Sequence, residues 1–210
     1  MSTEKKYISK ILEKKMKRTG IVKRDTKETN IDLKLVLDGS GDANIKTKVP
    51  FFDHMLTLMA KHGLFDLDIK ACGDIEVDDH HTVEDVGICF GEALRKALGD
   101  KRGLKRFGYA KLPMDEALGE VSIDISGRPF LVFNVNAPAK RIKKFEVQLV
   151  EEFMRAFVNT AAITLHVNLI YGKNTHHIYE SIFKALGKAL DKATGIDVRQ
   201  RAIPSTKGIL

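Results

Sequence analysis

Two clusters of the form His-His-x-x-Glu, 96 residues apart, constrain this chain more than any other feature of its sequence. Their members are His80, His81 and Glu84 in the first cluster and His176, His177 and Glu180 in the second. Each cluster follows a segment of alternating polarity and begins a long segment whose apolar residues recur with a helical period. Four of the seven histidines of the chain lie in these clusters. Internal duplication is the simplest explanation for this arrangement.

The other predicted elements repeat in the same order. Alternating polarity predicts strands and a 3.6-residue period predicts helices, with Gly or Pro at several of the ends. In the first half the predicted segments are, in chain order, residues 28–42, 44–51, 53–63, 64–71 and 80–100. In the second half they are residues 117–127, 129–136, 145–161, 163–172 and 176–195. Each half is therefore predicted to have the order β-β-α-β-α.

The predicted fold is of the α+β class, with two duplicated halves. We expect antiparallel or mixed sheets with the helices packed on one face of each sheet. Residues 1–17 are predicted to be a basic N-terminal extension, residues 18–102 the first half-domain and residues 103–210 the second, together forming one catalytic domain. Residues 65–69 align with residues 163–167, and the loop that follows is two residues shorter in the second copy.

The net charge is unevenly distributed along the chain. The formal charge is +7, and residues 1–24 account for all of it, with nine Lys or Arg against two Glu. The remaining 186 residues contain 26 basic and 26 acidic side chains. A folded domain that binds nucleic acid normally carries a basic face of its own, so we expect no nucleic-acid partner. We expect the basic N-terminal arm to be a solvated or oligomer-packing extension.

Hydropathy and cysteine content indicate the compartment. No apolar run approaches the length of a membrane span, and the lysine-rich start lacks the apolar core of a signal peptide. Cys72 and Cys89 are too few for a disulfide framework in a chain of 210 residues. We therefore expect a cytoplasmic protein that is not bound to a membrane.

The duplicated clusters offer the ligand types of divalent metal sites. Neighbouring residues of a helix point about 100° apart, so His80 and His81 are poorly placed to hold one ion together, and two metal centres are expected. At the start of the shorter helix of each half, His54 and Glu152 are equivalent once the two-residue difference is allowed for. Nitrogen and oxygen ligands without a thiolate favour manganese or another octahedral ion over structural zinc. The eight candidate ligands are His54, His80, His81, Glu84, Glu152, His176, His177 and Glu180.

These residues resemble the imidazoleglycerol-phosphate dehydratase family of histidine biosynthesis. The motifs that carry the resemblance are, in chain order, FFDHML, DDHHTVEDVG, RFG, MDEA, DISGRP, LVEEFMRAF, TLH, GKNTHHIYESIFKA and PSTKG. The similarity runs from about Arg18 to Leu210. It implies a duplicated fold like that of domain 2 of ribosomal protein S5 and two Mn(II) ions per active site. It also implies active sites between subunits of a large homo-oligomer, commonly of 24 subunits.

The resemblance also implies roles for individual residues. The family's metal ligands correspond to seven of the eight candidates, and some members have His where this chain has Glu152. A phosphate ester needs cationic or N–H partners, and arginine suits bidentate contact. The expected substrate-binding residues are Glu28, His54, His62, Arg106, Arg128, Lys184, Ser205, Thr206 and Lys207.

The reaction explains why metal ions are expected. Dehydration of imidazole glycerol phosphate to imidazole acetol phosphate removes a C–H proton that no carbonyl group acidifies. Metal coordination of both ring nitrogens would favour the imidazolate, through which electrons can expel the hydroxyl group. A carboxylate must act as the base, and a proton donor must help the hydroxyl leave. The candidates for these proton transfers are Glu28, Glu180 and Asp115, with the acid and base roles left unassigned.

Two other classes of function are compatible with parts of the sequence. A dinuclear metallohydrolase acting on phosphate esters would use similar ligands, but its clusters would be richer in Asp. An RNA-binding protein would fit an S5-like fold and a basic arm. An S5-like fold alone does not determine function. Residues 25–210 carry no net charge and contain two candidate metal clusters, which argues against an RNA-binding protein.

Overall fold

The computed structural model describes residues 18–210, so the predicted basic extension at residues 1–17 lies outside the described residues. The strands are β1 (Thr19–Asp25), β2 (Thr29–Val36), β3 (Ala43–Lys46), β4 (Asp66–Gly73), β5 (Phe107–Met114), β6 (Ala117–Asp124), β7 (Phe130–Asn134), β8 (Arg141–Ile142), β9 (Phe145–Glu146) and β10 (Thr164–Tyr171). The helices are α1 (Pro50–Gly63), α2 (His80–Leu98), α3 (Leu149–Ala161) and α4 (Thr175–Thr194).

Two four-stranded sheets have the same topology. The strand order is β1-β2-β4-β3 in the first sheet and β5-β6-β10-β7 in the second. In each sheet three strands are antiparallel, and one short edge strand runs parallel to its neighbour. The predicted duplication, the α+β class and the mixed sheets are confirmed. A short hairpin of β8 and β9 has no counterpart in the first half of the described chain.

Each four-stranded sheet contains one more strand than the sequence predicted. Strands β1 and β5 open the two halves and pair antiparallel with β2 and β6. Their inward positions near the start are occupied by Gly20 and Gly108, so the apolar alternation is weak there. A Cβ atom at either glycine would collide with the backbone of the long helix that lies across the strand, at Ala93 and Ala189 respectively. The close approach of the helix therefore explains both the glycine and the missed prediction.

The four helices within residues 18–210 lie between the two sheets. Helix α2 packs on β1 and β2, and α4 packs on β5 and β6, so each sheet buries one face under helices of its own half, as predicted. The helices of one half also pack on those of the other, α2 against α3 and α1 against α4. The core where they meet contains fully buried aromatic side chains from both halves, namely Phe52, Phe90, Phe153, Phe157 and Phe183. The predicted half-domain boundary falls in the connection between α2 and β5.

Two glycines at equivalent positions allow the helices of the two halves to cross closely. Gly91 on α2 faces the backbone of α3, where a Cβ would lie 2.8 Å from the Ala161 nitrogen. Gly187 on α4 lies 96 residues later and faces α1, where a Cβ would lie 2.9 Å from the Gly63 nitrogen and closer still to the Met59 carbonyl oxygen. The second crossing matters for function, because the same two helices bring His54 of α1 beside Glu180 of α4.

Among residues 18–210, no helix is both long enough and apolar enough to cross a membrane.

Candidate metal centre

Three of the predicted ligands converge where α1 approaches the start of α4. His54 Nε2 lies 2.9 Å from Glu180 Oε1, and His176 Nε2 lies 3.2 Å from the same oxygen. The three ligand atoms lie within 4.8 Å of one another. The backbone N–H of His176 donates to the side chain of Asn174, the N-cap of α4, which fixes the first turn of the helix. Because His176 and Glu180 are four residues apart, they share one face of α4.

Glu180 is held as a carboxylate. Its second oxygen accepts a hydrogen bond from Lys184 Nζ at 2.7 Å. Burial alone would raise the pKa of this carboxyl, but the bonds from Lys184, His54 and His176 outweigh it and lower the pKa to about 2. Two imidazole nitrogens and one anionic oxygen form a donor set that can hold manganese, iron or zinc. The arrangement therefore fits a divalent metal ion.

The corresponding ligands of the first half are less closely gathered. His80 Nε2 lies 3.4 Å from Glu84 Oε2 on α2. Glu152 lies on α3, where its carboxylate is 3.9 Å from Arg155 Nε. Of the residues that the structure describes, His54, His176 and Glu180 alone form a group of three such ligands within mutual reach. The role of Glu152 as a ligand therefore stays a prediction.

The second histidine of each cluster is held by a carboxylate from outside the cluster. His81 Nδ1 lies 3.1 Å from both oxygens of Asp74, and His177 Nδ1 lies 2.7 Å from Glu116 Oε2. These hydrogen bonds raise the pKa of both imidazoles, and the bond with His177 is the main cause that lowers the pKa of Glu116 to about 2. The rings of His176 and His177 are nearly perpendicular, at 85°.

Sequence reasoning missed Asp74 and Glu116. Glu116 is the residue after Asp115, which was predicted, and Asp115 Oδ2 lies 3.9 Å from His177 Nε2. The duplication held a signal for Glu116, because Glu28 and Glu116 stand immediately before the equivalent strands β2 and β6. Glu28 Oε2 lies 4.0 Å from His81 Nδ1, and the Glu28 side chain is 57% exposed. Asp74 has no such counterpart and could be found only from the fold.

Lys184 and His62 lie on the same side as the metal cluster. The ammonium group of Lys184, four residues after Glu180 on α4, contacts the Glu180 carboxylate and also lies 3.0 Å from Met114 Sδ. His62, near the end of α1, has a lowered pKa because of burial and the nearby charges of Lys184 and Lys188. Both are predicted substrate-binding residues.

Arg106, Arg128 and the C-terminal tail, which are also predicted to bind substrate, lie around the end of β6. The Arg106 guanidinium binds Asp124 through Nε at 2.6 Å and Nη2 at 3.0 Å, and its Nη1 donates to the Pro204 carbonyl at 2.8 Å. Arg106 therefore holds the start of the C-terminal tail, which contains Ser205, Thr206 and Lys207, against the second sheet. Arg128 is exposed and lies 4.0 Å from Asp124.

The predicted metal ligands of the second half and the arginines predicted to bind phosphate lie near opposite ends of one strand. Glu116, which contacts His177, precedes the first residue of β6, and Asp124, which contacts Arg106, is its last residue. A strand of eight residues spans about 25 Å. Within one chain, the structure thus separates the metal ligands from the arginines predicted to bind phosphate.

Comparison with known proteins identifies the family. The profile of the family described as imidazoleglycerol-phosphate dehydratase matches residues 47–190. The chain is 54% identical over 195 residues to the imidazoleglycerol-phosphate dehydratase of Trichlorobacter lovleyi, covering 93% of this chain and 100% of that protein. It is 56% identical over 194 residues to the one of Syntrophobacter fumaroxidans, covering 92% and 98%.

Solved structures agree with the sequence comparison. The structure of the Staphylococcus aureus imidazoleglycerol-phosphate dehydratase superposes with a TM-score of 0.77 at 40% identity, covering 85% of this chain and 99% of that chain. The Pyrococcus furiosus enzyme superposes with a TM-score of 0.78 at 39% identity, covering 90% and 100%. The duplicated fold and the His/Glu cluster are thus accompanied by close sequence similarity over nearly the whole chain. The chain therefore belongs to the imidazoleglycerol-phosphate dehydratase family.

Proposed function

We propose that this enzyme dehydrates D-erythro-imidazole glycerol phosphate to imidazole acetol phosphate, with two Mn(II) ions per active site. Membership of the family makes it a hydro-lyase of histidine biosynthesis. The observation that carries the finer proposal is the convergence of His54, His176 and Glu180 at the crossing of α1 and α4. A second cluster of the same spacing on α2 supports a second ion.

The residues around the cluster would bind the ions and move protons. When bound, two divalent cations would stabilise the imidazolate form of the substrate ring and so let it accept electrons. Among the carboxylates considered for proton transfer, Glu28 is favoured, because it is exposed and not tightly held. Both oxygens of Glu180 already accept hydrogen bonds, which makes it a weak base. Asp115 remains a candidate for the second proton transfer, since it lies beside His177.

The separation along β6 supports an active site between subunits. A substrate of this kind is about as long as three extended residues, roughly 10 Å. It is therefore too short to reach from the metal cluster to Arg128 of the same chain, given the length of β6. We accordingly propose that one subunit supplies the metal end and another the phosphate end, within a homo-oligomer of 24 subunits in the cytoplasm. Both cysteines are free thiols, which suits that reducing compartment.

Removal and return of the metal tests the proposal. After treatment with a chelator, we expect the protein to lose formation of imidazole acetol phosphate and to regain it when about two Mn(II) per subunit are bound. The variants His80→Ala and His177→Ala should stay inactive after the same treatment. Full activity without metal, or in either variant, would overturn the proposal.

Mixing two inactive variants tests whether the sites lie between subunits. His54→Ala removes a predicted metal ligand, and Lys207→Ala removes a predicted phosphate contact. If the two ends come from different subunits, dissociating and reassembling a 1:1 mixture should restore roughly a quarter of the sites. A mixture of His54→Ala with His176→Ala, whose lesions lie at the same end, should stay inactive and serves as the control. Failure of the first mixture to regain activity, with oligomers formed, would contradict a shared site.

A further inference from the structure

The duplication places two glutamates at the same position of the two halves. Glu28 lies just before β2 and Glu116 just before β6, in the short turns that join equivalent antiparallel strands. Both side chains face the second histidine of the cluster in their own half: Glu28 faces His81 and Glu116 faces His177. Equivalent carboxylates therefore approach equivalent imidazoles.

The two carboxylates are nevertheless held in different ways. Glu116 Oε1 accepts backbone N–H bonds from Lys173 at 3.2 Å and Asn174 at 2.7 Å, while its Oε2 lies 2.7 Å from His177 Nδ1. These contacts lock Glu116 to the loop that begins α4. Glu28 has no contact of comparable strength to its histidine, which lies 4.0 Å away.

In the first half another carboxylate occupies the place beside the imidazole. Both oxygens of Asp74 lie 3.1 Å from His81 Nδ1. Asp74 begins the connection at residues 74–79, which is longer than its counterpart at residues 172–174. Its backbone N–H donates to the Glu28 carbonyl at 3.1 Å, so it lies directly beside the turn that carries Glu28.

We infer that Asp74 and Glu116 are the positioning residues of the two half-sites, and that Asp74 has taken over in the first half the role that Glu116 keeps in the second. A carboxylate on Nδ1 fixes the tautomer and the ring orientation, and it leaves Nε2 as the ligand atom. Because Asp74, and not Glu28, positions His81, Glu28 is free to exchange protons with the substrate. The inference rests on the proposed function.

The affinity of the metal-free protein for Mn(II) distinguishes the roles of the three carboxylates. Glu116→Ala and Asp74→Ala should each weaken the binding of one Mn(II) per subunit by about 10-fold to 100-fold, the scale found for groups that orient metal ligands. Turnover should return towards the wild-type kcat when Mn(II) is saturating. Glu116→Gln, which keeps a neutral acceptor, should lie between alanine and the wild type. Glu28→Gln should bind Mn(II) as the wild type does, yet lose at least about 100-fold in kcat at any Mn(II) concentration.

The control is Glu76→Ala, an exposed acid in the same connection as Asp74, which should bind Mn(II) like the wild type. Wild-type Mn(II) affinity in both alanine variants, or weakened binding in Glu28→Gln, would overturn the assignment. Those results leave the dehydratase proposal intact, whereas a wild-type protein that binds no Mn(II) and is fully active overturns the proposed function itself. Thermal unfolding of each variant verifies that an altered affinity does not come from an unfolded protein.

Discussion

Replacing Glu180 by alanine is expected to reduce kcat by roughly 10³-fold or more and to lower the bound metal by one ion per subunit. Glu180 is the shared acceptor of His54, His176 and Lys184. Its removal leaves two imidazoles without their anionic partner at the only three-ligand cluster that the described residues form. Turnover to imidazole acetol phosphate and metal analysis of the same sample measure the two effects.

The alanine variant also destabilises the fold, so a second variant is needed. The Lys184 side chain is only 15% exposed, and loss of its partner leaves a largely buried ammonium group unpaired, at a cost of about 3 kcal/mol. Glu180→Gln keeps a hydrogen-bond acceptor and should unfold closer to the wild type while remaining inactive.

The matched control for Glu180 is an exposed carboxylate. Glu151 on α3 pairs only with the half-exposed Arg155 in the described structure, so Glu151→Gln should retain wild-type activity and metal content. If the Glu180→Gln protein is folded, has full metal content and keeps more than about a tenth of wild-type turnover, then Glu180 is not part of the metal site.

The second large effect is expected on stability. Gly187→Ala should lower the free energy of unfolding by about 3 kcal/mol, because the added methyl group meets the backbone of α1 at Met59 and Gly63, which cannot rotate away. For a chain of this size that corresponds to a thermal midpoint roughly 10 °C lower. The same change pushes α1 away from α4. The distance between His54 and Glu180 should therefore increase, and activity should fall as well.

Two other glycines provide an equivalent variant and a control for this prediction. Gly91→Ala alters the equivalent crossing of α2 and α3 and should destabilise by a similar amount. Gly195→Ala is the control: its φ is −58°, and the nearest atoms to an added Cβ lie 3.3 Å away, so the midpoint should move by less than about 2 °C. Equal midpoints for the wild type and Gly187→Ala, measured by circular dichroism, would mean that the helices are not in close contact at this crossing.

Much of the fold was predictable because its signals are local. The alternating strands β2, β4, β6 and β10 and the long helices α2 and α4 carry strong periodicity, and their order repeats. Strands β1 and β5 were missed because Gly20 and Gly108 replace apolar side chains where the helices pass closely. The hairpin of β8 and β9 has strands of two residues, which are too short for any periodic signal.

The candidate site, like the fold, was predictable only where its signals are local. Spacing alone placed His176 and Glu180 on one face of a helix, because four residues make about one helical turn. The arrival of His54 beside them depends on how α1 crosses α4, which is set by side-chain and backbone contacts far away in sequence.

The sequence by itself determined the duplicated order of elements, the ligand types and the pairs that lie one turn apart, since each of these follows from the local geometry of strands and helices. The tertiary structure alone decided which ligands converge and which carboxylate supports each histidine. Glu28 and Glu116 are equivalent in sequence position, yet the longer connection at residues 74–79 brings Asp74 to His81 and leaves Glu28 apart. The difference in loop length is visible in the sequence, but the contacts that it produces between distant segments are not recorded in any local pattern.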